Sequence, residues 1–179
     1  NAKVVLSASS SSDVTFDISK MLFISTGNTA AGIDVNLAGS GNQTVRIREN
    51  QLDVVAPSLV DAAVGVEVFG ASTSTTVEIS YNQITASQAG DGWGIHGMVG
   101  GGATSAFRVF ANKVNGDFAR NSISITEGMF SSTPSTVDAW VFGNMLVGGE
   151  EEFGGLSFTT AYGSIVARAV NNTITHGRG

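Results

Sequence analysis

The chain has no cysteine, few charges and only two prolines. Without cysteine, neither a disulfide nor a thiolate metal site can form. Charged residues make up 13% of the sequence, which is roughly half the usual fraction. The formal net charge is -6, whereas general nucleic-acid binders and proteins of anionic membranes carry basic surfaces. No apolar run approaches the ~18 residues of a transmembrane helix. We therefore expect neither nucleic-acid binding nor membrane insertion.

The composition favours many short strands joined by turns. Hydrophobic residues reach 42% and the chain contains 23 glycines among its 179 residues. This apolar content is too high for a disordered chain, and the length suffices for one domain with its own core, spanning residues 1–179. No window of the sequence has a convincing helical period.

One eight-residue pattern recurs six times. Apolar residues stand first, third and eighth, and asparagine stands sixth, as in the stretch from Val77 to Ile84 with Asn82. In the first copy, Val14 to Met21, Ser19 takes the asparagine position. The steps between copies are 28 to 32 residues, and the copies begin at Val14, Val45, Val77, Phe107, Ala139 and Ala167.

A second strand with alternating apolar residues precedes each later copy, for example Ile33 to Leu37 and Val64 to Val68. Period-two alternation marks strands, and a repeat near 30 residues marks a solenoid. We predict an all-β parallel β-helix of about six coils, stacked at about 4.8 Å. A β-sandwich is the alternative, but it gives no reason for one pattern to return in fixed register.

The repeated asparagine predicts a hydrogen-bonded ladder. Stacked coils place equivalent side chains above one another, and asparagine tolerates the positive φ that a sharp bend needs. Inside the bend its amide must be hydrogen-bonded. The predicted ladder is Ser19, Asn50, Asn82, Asn112, Asn144 and Asn172. The predicted apolar column beside it is Met21, Leu52, Ile84, Val114, Leu146 and Ile174.

These units resemble the right-handed parallel β-helix superfamily, which includes pectate lyases, polygalacturonases, phage tailspikes and autotransporter passengers. The resemblance covers essentially the whole chain and implies a right-handed coil. It also implies a secreted or cell-surface location, bacterial or phage-like, and a polysaccharide as one candidate ligand. Polysaccharide-cleaving members cluster carboxylates on the outer face, and lyases add calcium and an Arg or Lys base.

A carboxylate cluster of that kind is not evident here. At the second position of the units stand Thr15, Arg46, Glu78, Arg108, Trp140 and Arg168. At the fourth stand Asp17, Arg48, Ser80, Phe110, Phe142 and Val170. Only Asp17 and Glu78 are acidic, and they lie two coils apart with arginines between them. Glycosidases need a carboxylate separation of about 5–9.5 Å. We interpret Arg46, Glu78 and Arg108 as an exposed charge ladder and assign no catalytic residue.

Two further stretches carry candidate chemistry. Asp91, Trp93 and His96 lie between the strands of one coil, and they form either a sugar platform with an acid/base pair or a tryptophan that packs down beside an exposed histidine. Glu150 to Glu152 is either a calcium site or a solvated acidic turn, and it lacks the spaced oxygen ligands of a dedicated calcium loop. No other metal or cofactor site is predicted.

Apolar residues at outward positions are concentrated in the last three coils. The candidate interface residues are Phe110, Trp140, Phe142, Met145 and Val170. An exposed apolar patch usually marks a partner surface. A sugar-binding strip and a covering loop remain alternatives.

The chain begins mid-coil and stops just after a strand, with no capping helix in sight. Open solenoid ends need cover. We therefore expect a homo-oligomer or the remainder of a longer β-helix as partner. The predicted function is a non-catalytic structural or interaction module that self-associates. The alternative is a carbohydrate-binding or polysaccharide-cleaving protein, in which case it would be a polysaccharide lyase or a glycoside hydrolase.

Overall fold

The computed structural model describes residues 3–9, 11–24, 32–54, 62–70, 74–86, 92–116, 118, 120–128, 131–148 and 155–175. Within these ranges the regular elements are all strands. They are β1 (Lys3–Ala8), β2 (Val14–Ser19), β3 (Leu22–Ile24), β4 (Gly32–Ala38), β5 (Gln43–Arg48), β6 (Gln51–Val54), β7 (Ala62–Phe69), β8 (Ser74–Ser80), β9 (Gln83–Ala86), β10 (Trp93–Gly100), β11 (Thr104–Phe110), β12 (Lys113–Asn115), β13 (Ile123–Glu127), β14 (Thr136–Phe142), β15 (Met145–Val147), β16 (Leu156–Thr160), β17 (Ser164–Val170) and β18 (Thr173–Thr175).

The strands form three six-stranded parallel sheets. Sheet A has the order β1-β4-β7-β10-β13-β16, sheet B β2-β5-β8-β11-β14-β17, and sheet C β3-β6-β9-β12-β15-β18. Successive strands join sheets A, B and C in turn, so β1 to β3 make coil 1 and β16 to β18 make coil 6. The chain is a parallel β-solenoid, as predicted, and the sandwich alternative is excluded because every described strand pair is parallel.

The core lies inside the coils and follows the alternation of the strands. Val77 and Ile79 of β8 are fully buried, while Glu78 between them points outward. In sheet B, Val77 stands beside Val45 on one side and Phe107 on the other. Burying such a side chain stabilises the fold by about 1.5–3 kcal/mol, so the apolar column of each sheet holds neighbouring coils together.

The first repeat unit is shifted by two residues from its predicted position. The pairing of β2 with β5 sets Phe16 beside Val45 and Ser19 beside Arg48. The unit therefore begins at Phe16, and Phe23, 3% exposed, takes the core position predicted for Met21, which is 41% exposed. A shift of two residues keeps every side chain on the same face of the strand, so alternation alone does not detect it.

The predicted positive φ at the asparagine is also wrong by one position. The residue before the asparagine adopts it: φ is 57° at Lys20, 56° at Glu49 and Tyr81, 54° at Ala111 and 62° at Gly143. Asn171 follows with 53°. We call this residue the corner position of its coil, because it lies at the bend between sheets B and C. Its side chain faces the surface, whereas the asparagine amide is required inside the bend. A left-handed conformation costs an L-residue about 1–2 kcal/mol, which the bonds of the ladder offset.

The asparagine ladder runs through coils 2 to 6. Asn82 Nδ2 donates to Asn112 Oδ1 at 2.9 Å and to the carbonyl of Ile47 at 2.9 Å. Its Oδ1 accepts the backbone N–H and Nδ2 of Asn50, both at 3.0 Å. Asn112, Asn144 and Asn172 extend the same pattern. At the coil 1 end, the backbone N–H of Met21 donates to Asn50 Oδ1 at 3.0 Å, so Met21, and not Ser19, occupies that position.

A buried carboxylate joins coils 5 and 6. Glu127, at the end of β13, is fully buried. One of its oxygens accepts the N–H of Ser135 at 3.0 Å, and the other accepts the N–H of Gly163 at 2.7 Å and the Thr160 hydroxyl at 2.9 Å. Burial raises the pKa of Glu127, but the hydrogen bonds from Gly163, Ser135, Thr160 and Tyr162 together outweigh it and lower the pKa to about 2. Glu127 is therefore ionised in the folded protein and orders the turn between β16 and β17.

Candidate interaction surface

The outer face of sheet B carries a continuous apolar surface in coils 4 to 6. We call Phe110, Trp140, Phe142 and Val170 the aromatic strip. The parallel register places Phe110 beside Phe142 and Phe142 beside Val170. Trp140, Phe142 and Val170 are 41%, 37% and 53% exposed. The alternation of β11, β14 and β17 turns these side chains outward, as the sequence predicted.

The phenylalanine rings of the strip stack on one another. The ring centroids of Phe110 and Phe142 lie 4.8 Å apart and their planes differ by 4°. Tyr81, at the corner position of coil 3, meets Phe110 edge to face at 5.5 Å and 84°. Each of these contacts covers part of a ring with another ring of the same chain.

Trp140 is held between two arginines. The guanidinium carbons of Arg108 and Arg168, on the neighbouring strands, lie 5.5 and 4.9 Å from its ring centroid. Asp138 fixes both arginines, since its Oδ2 accepts Arg108 Nη2 at 2.7 Å and its Oδ1 accepts Arg168 Nη1 at 2.9 Å. Burial raises the pKa of Asp138, but the two guanidiniums outweigh it and hold that pKa below its usual value. The indole therefore makes cation–π contacts with arginines from both neighbouring strands.

A shallow groove opens at the coil 5 to coil 6 end of the strip. It has a volume of about 280 Å³ and is lined by Trp140, Phe142, Gly143, Arg168, Val170 and Asn171. Gly143 occupies the corner position of coil 5 with φ of 62°, and a Cβ added there would meet no atom within 4 Å. The groove is open because the corner position of this coil has no side chain.

One predicted interface residue lies elsewhere, and one exposed residue was missed. Met145 is on β15 of sheet C, past the bend, so it does not belong to the strip. Tyr81 is 61% exposed and contacts the strip. The alternation pattern passes over it because the corner position belongs to no strand. An apolar residue directly before the ladder asparagine was the signal that could have found it.

Trp93 and His96 lie on sheet A, away from the strip. Their rings stack at 4.0 Å, and the guanidinium of Arg120 lies 4.7 Å from the Trp93 ring centroid. Both residues are only 7% exposed, so the expectation of an exposed histidine is wrong. Burial and the nearby charge of Arg120 lower the pKa of His96 to about 4, and the imidazole is neutral at pH 7. Asp91, the third predicted residue of this cleft, lies outside the described residues.

A small polar notch on sheet A escaped the sequence analysis. It has a volume of about 60 Å³, and its lining includes Asp34, Glu67, His96 and Lys3 above Gly65. Lys3 Nζ lies 3.3 Å from Asp34 Oδ2. Burial, followed by the charge of Asp34, raises the pKa of Glu67, while Lys3 opposes the shift. Asp34 and Glu67 occupy polar positions in the alternation of β4 and β7, which is the sequence signal for this notch.

The acidic residues of sheet B are paired with other groups. Asp17 stands beside Arg46 in the register, and Arg46 beside Glu78, so two coil spacings, about 10 Å, separate the carboxylates. Arg48 Nη2 donates to Asp17 at 2.7 Å, and Ser80 Oγ donates to Glu78 at 2.8 Å. The corrected register moves Asp17 to the second position of its unit. Arg108, the third member of the predicted ladder, bonds to Asp138, so the contacts of Glu78 and Arg108 lead to groups outside that ladder.

Within the described ranges, no three His, Cys, Asp or Glu side chains are grouped so as to hold a metal ion. The candidate calcium turn, Glu150 to Glu152, lies outside these ranges. The described part of the chain also contains no helix that is long and apolar enough to cross a membrane. No protein-family model matches the chain, and neither a curated protein nor a solved structure matches it.

Proposed function

We propose that the chain is a non-catalytic β-helical interaction module that self-associates through the aromatic strip. The observation that carries the proposal is an apolar surface continuous over three coils, with a groove at one end and charged residues beside it. Surfaces of this kind mark protein–protein contacts, and buried aromatic and arginine side chains dominate the energy of such contacts.

The contacts within the strip favour a protein partner over a sugar. A pyranose ring needs a free aromatic face to stack on. The guanidiniums of Arg108 and Arg168 lie against Trp140, and Phe110 and Phe142 each cover one face of the other. The groove and the ring edges remain for contact, and side chains of a second protein fill such a surface well. The carbohydrate alternative is thus less well supported on this face.

The proposal extends to the family, the location and the exposed end. The repeated asparagine unit and the three parallel sheets support membership in the right-handed, pectate-lyase-like β-helix superfamily and a secreted or cell-surface role.

In the core column of sheet C, Leu146 of coil 5 is fully buried, whereas Ile174 of coil 6 is 52% exposed. A following coil, from the same chain or from another copy, would bury Ile174.

Light scattering across a dilution series tests self-association. We expect a dimer or larger assembly that dissociates on dilution. The variant Phe142→Ser should weaken association at least tenfold, because it removes a central aromatic contact. Val5→Ser is the matched control, since Val5 is similarly exposed, at 56%, but lies on β1 of sheet A in coil 1. A wild-type chain that is monomeric at every concentration contradicts the proposal. Retention of that monomer on polysaccharide gels would then favour the carbohydrate alternative.

A further inference from the structure

The corner positions carry side chains of different size in successive coils, so the surface along the bend is uneven. They hold Lys20, Glu49, Tyr81, Ala111, Gly143 and Asn171. In coil 3, Tyr81 protrudes with 61% of its surface exposed. In coil 4, Ala111 is small. In coil 5, Gly143 leaves the space beside it empty and forms one wall of the groove. A protrusion, a small residue and a groove therefore follow one another in three consecutive coils.

The repeat itself shows which group fits the groove. The ring of Tyr81 packs against Phe110, which belongs to the next coil. Val170 has the same relation to Gly143, because Phe110, Phe142 and Val170 occupy equivalent positions in the register. The groove beside Gly143 and Val170 is thus the place that an aromatic corner residue of coil 5 would fill. Its lining is largely apolar, and Arg168 and Asn171 supply polar groups at its edge.

We propose that the ring in this groove is Tyr81 of a second copy of the chain, in a two-fold symmetric dimer. The symmetry follows from the order of the corner positions. Coil 4 lies midway between coils 3 and 5, so a two-fold axis near Ala111 places Tyr81 of each copy over Gly143 of the other. The small Ala111 lets the two bends approach at the axis. A self-complementary surface of this kind gives a closed dimer.

Tyr81 does not fill the groove of its own chain. The two sites are two coil spacings apart, about 10 Å, and the ring of Tyr81 already contacts Phe110. This inference rests on the proposed function, because it names the partner and the contact of the same strip. The experiments are therefore chosen so that a wrong Tyr81 contact and an absence of self-association give different results.

The first experiment uses the absence of cysteine to introduce single cross-linking sites. A disulfide needs Cα atoms within about 7 Å. Ala111→Cys lies at the axis, so mild oxidation should convert most of this variant to a disulfide-linked dimer. Lys20→Cys is the control at the corner position of coil 1. It lies three coils from the axis, so its two copies would be about 28 Å apart and should not cross-link. Equal cross-linking of the two variants overturns the proposed axis.

The second experiment exchanges the protrusion and the groove. Tyr81→Gly removes the ring, and Gly143→Tyr fills the groove with a ring from the same chain. Both residues are compatible with the backbone of a corner position, because glycine and tyrosine already occupy one. Each single variant should dimerise at least ~30-fold more weakly, as for loss of an interface hot spot. The double variant has its ring in coil 5 and its open site in coil 3, which the same axis again brings together, so dimerisation should recover.

The outcomes separate the two proposals. A wild-type dimer that neither single variant weakens overturns the docking of Tyr81 and leaves self-association standing. A double variant no better than the weaker single variant overturns the two-fold arrangement. A wild-type chain that never associates overturns both. Circular dichroism and thermal unfolding of each variant confirm that the comparison is made between folded proteins.

Discussion

Replacing Asn82 by alanine tests whether the ladder stabilises the solenoid. The substitution removes four hydrogen bonds, two donated by Nδ2 and two accepted by Oδ1. It also leaves the carbonyl of Ile47 and the N–H of Asn50 without these partners, and both residues are buried. At about 1 kcal/mol for each bond, the free energy of unfolding should fall by about 4 kcal/mol. That is a large part of the roughly 5–15 kcal/mol by which a domain is stable.

Chemical and thermal unfolding followed by circular dichroism measure this loss. For a chain of this length, about 4 kcal/mol corresponds to a decrease in Tm of roughly 8–16 °C. Gln83→Ala is the matched control, because Gln83 follows Asn82 but points to solvent from sheet C. Asn172→Ala should cost less, since this partly exposed end of the ladder allows water to replace lost bonds. If Asn82→Ala and Gln83→Ala differ by less than about 1 kcal/mol, the ladder is not the stabilising element described here.

Three further predictions concern titratable groups. The pKa of Glu127 is lowered from 4.5 to about 2 in the fold. Ionised Glu127 therefore adds roughly 3 kcal/mol to the free energy of unfolding. This stabilisation is complete above about pH 5 and is lost as the pH falls through 2. Glu127→Gln should lower Tm at pH 7 and flatten the loss of stability between pH 5 and 2; an unchanged acid profile would contradict this. The pKa of His96 is lowered from 6.5 to about 4, so the unfolded chain takes up a proton first and stability should fall as the pH drops from 6.5 to 4. An NMR titration of His96 with a midpoint above pH 6 would refute its burial. Asp138→Asn should release Arg168, while Arg108 keeps its bonds to the carbonyls of Phe107 and Asp138. The fluorescence of Trp140 should change, with a stability loss under about 1 kcal/mol because the group is near the surface; unchanged fluorescence would mean that the Asp138 carboxylate does not hold Arg168 against the indole.

The architecture was predictable because the repeat carries two independent signals. The apolar positions fix which face of each strand is buried, and the asparagine fixes how one coil stacks on the next. Where the second signal is missing, the prediction failed. Met21 stands where the ladder asparagine would be, so only the alternation of inward and outward residues was left to place the first unit. A shift of two residues leaves that alternation unchanged.

The candidate site was only partly predictable, for reasons of geometry. Phe110, Trp140, Phe142 and Val170 follow from strand alternation and were found. Tyr81 and Gly143 lie at the bend, where alternation stops, and they were not. Trp93 contacts Arg120, which lies in the connection between β12 and β13. Such contacts arise from how connections fold back on the coils, and no local pattern encodes them.

Because the hydrogen bonds of the ladder lie inside the bend, the backbone conformation at the corner position does not depend on which side chain stands there. Lysine, glutamate, tyrosine, alanine, glycine and asparagine occupy it in successive coils with nearly the same φ. Since the fold demands so little of the side chain there, this row behaves as a set of interchangeable display sites at about 4.8 Å intervals. Substitutions can change the side chains that the solenoid exposes along this edge while its core and its amide ladder stay unchanged.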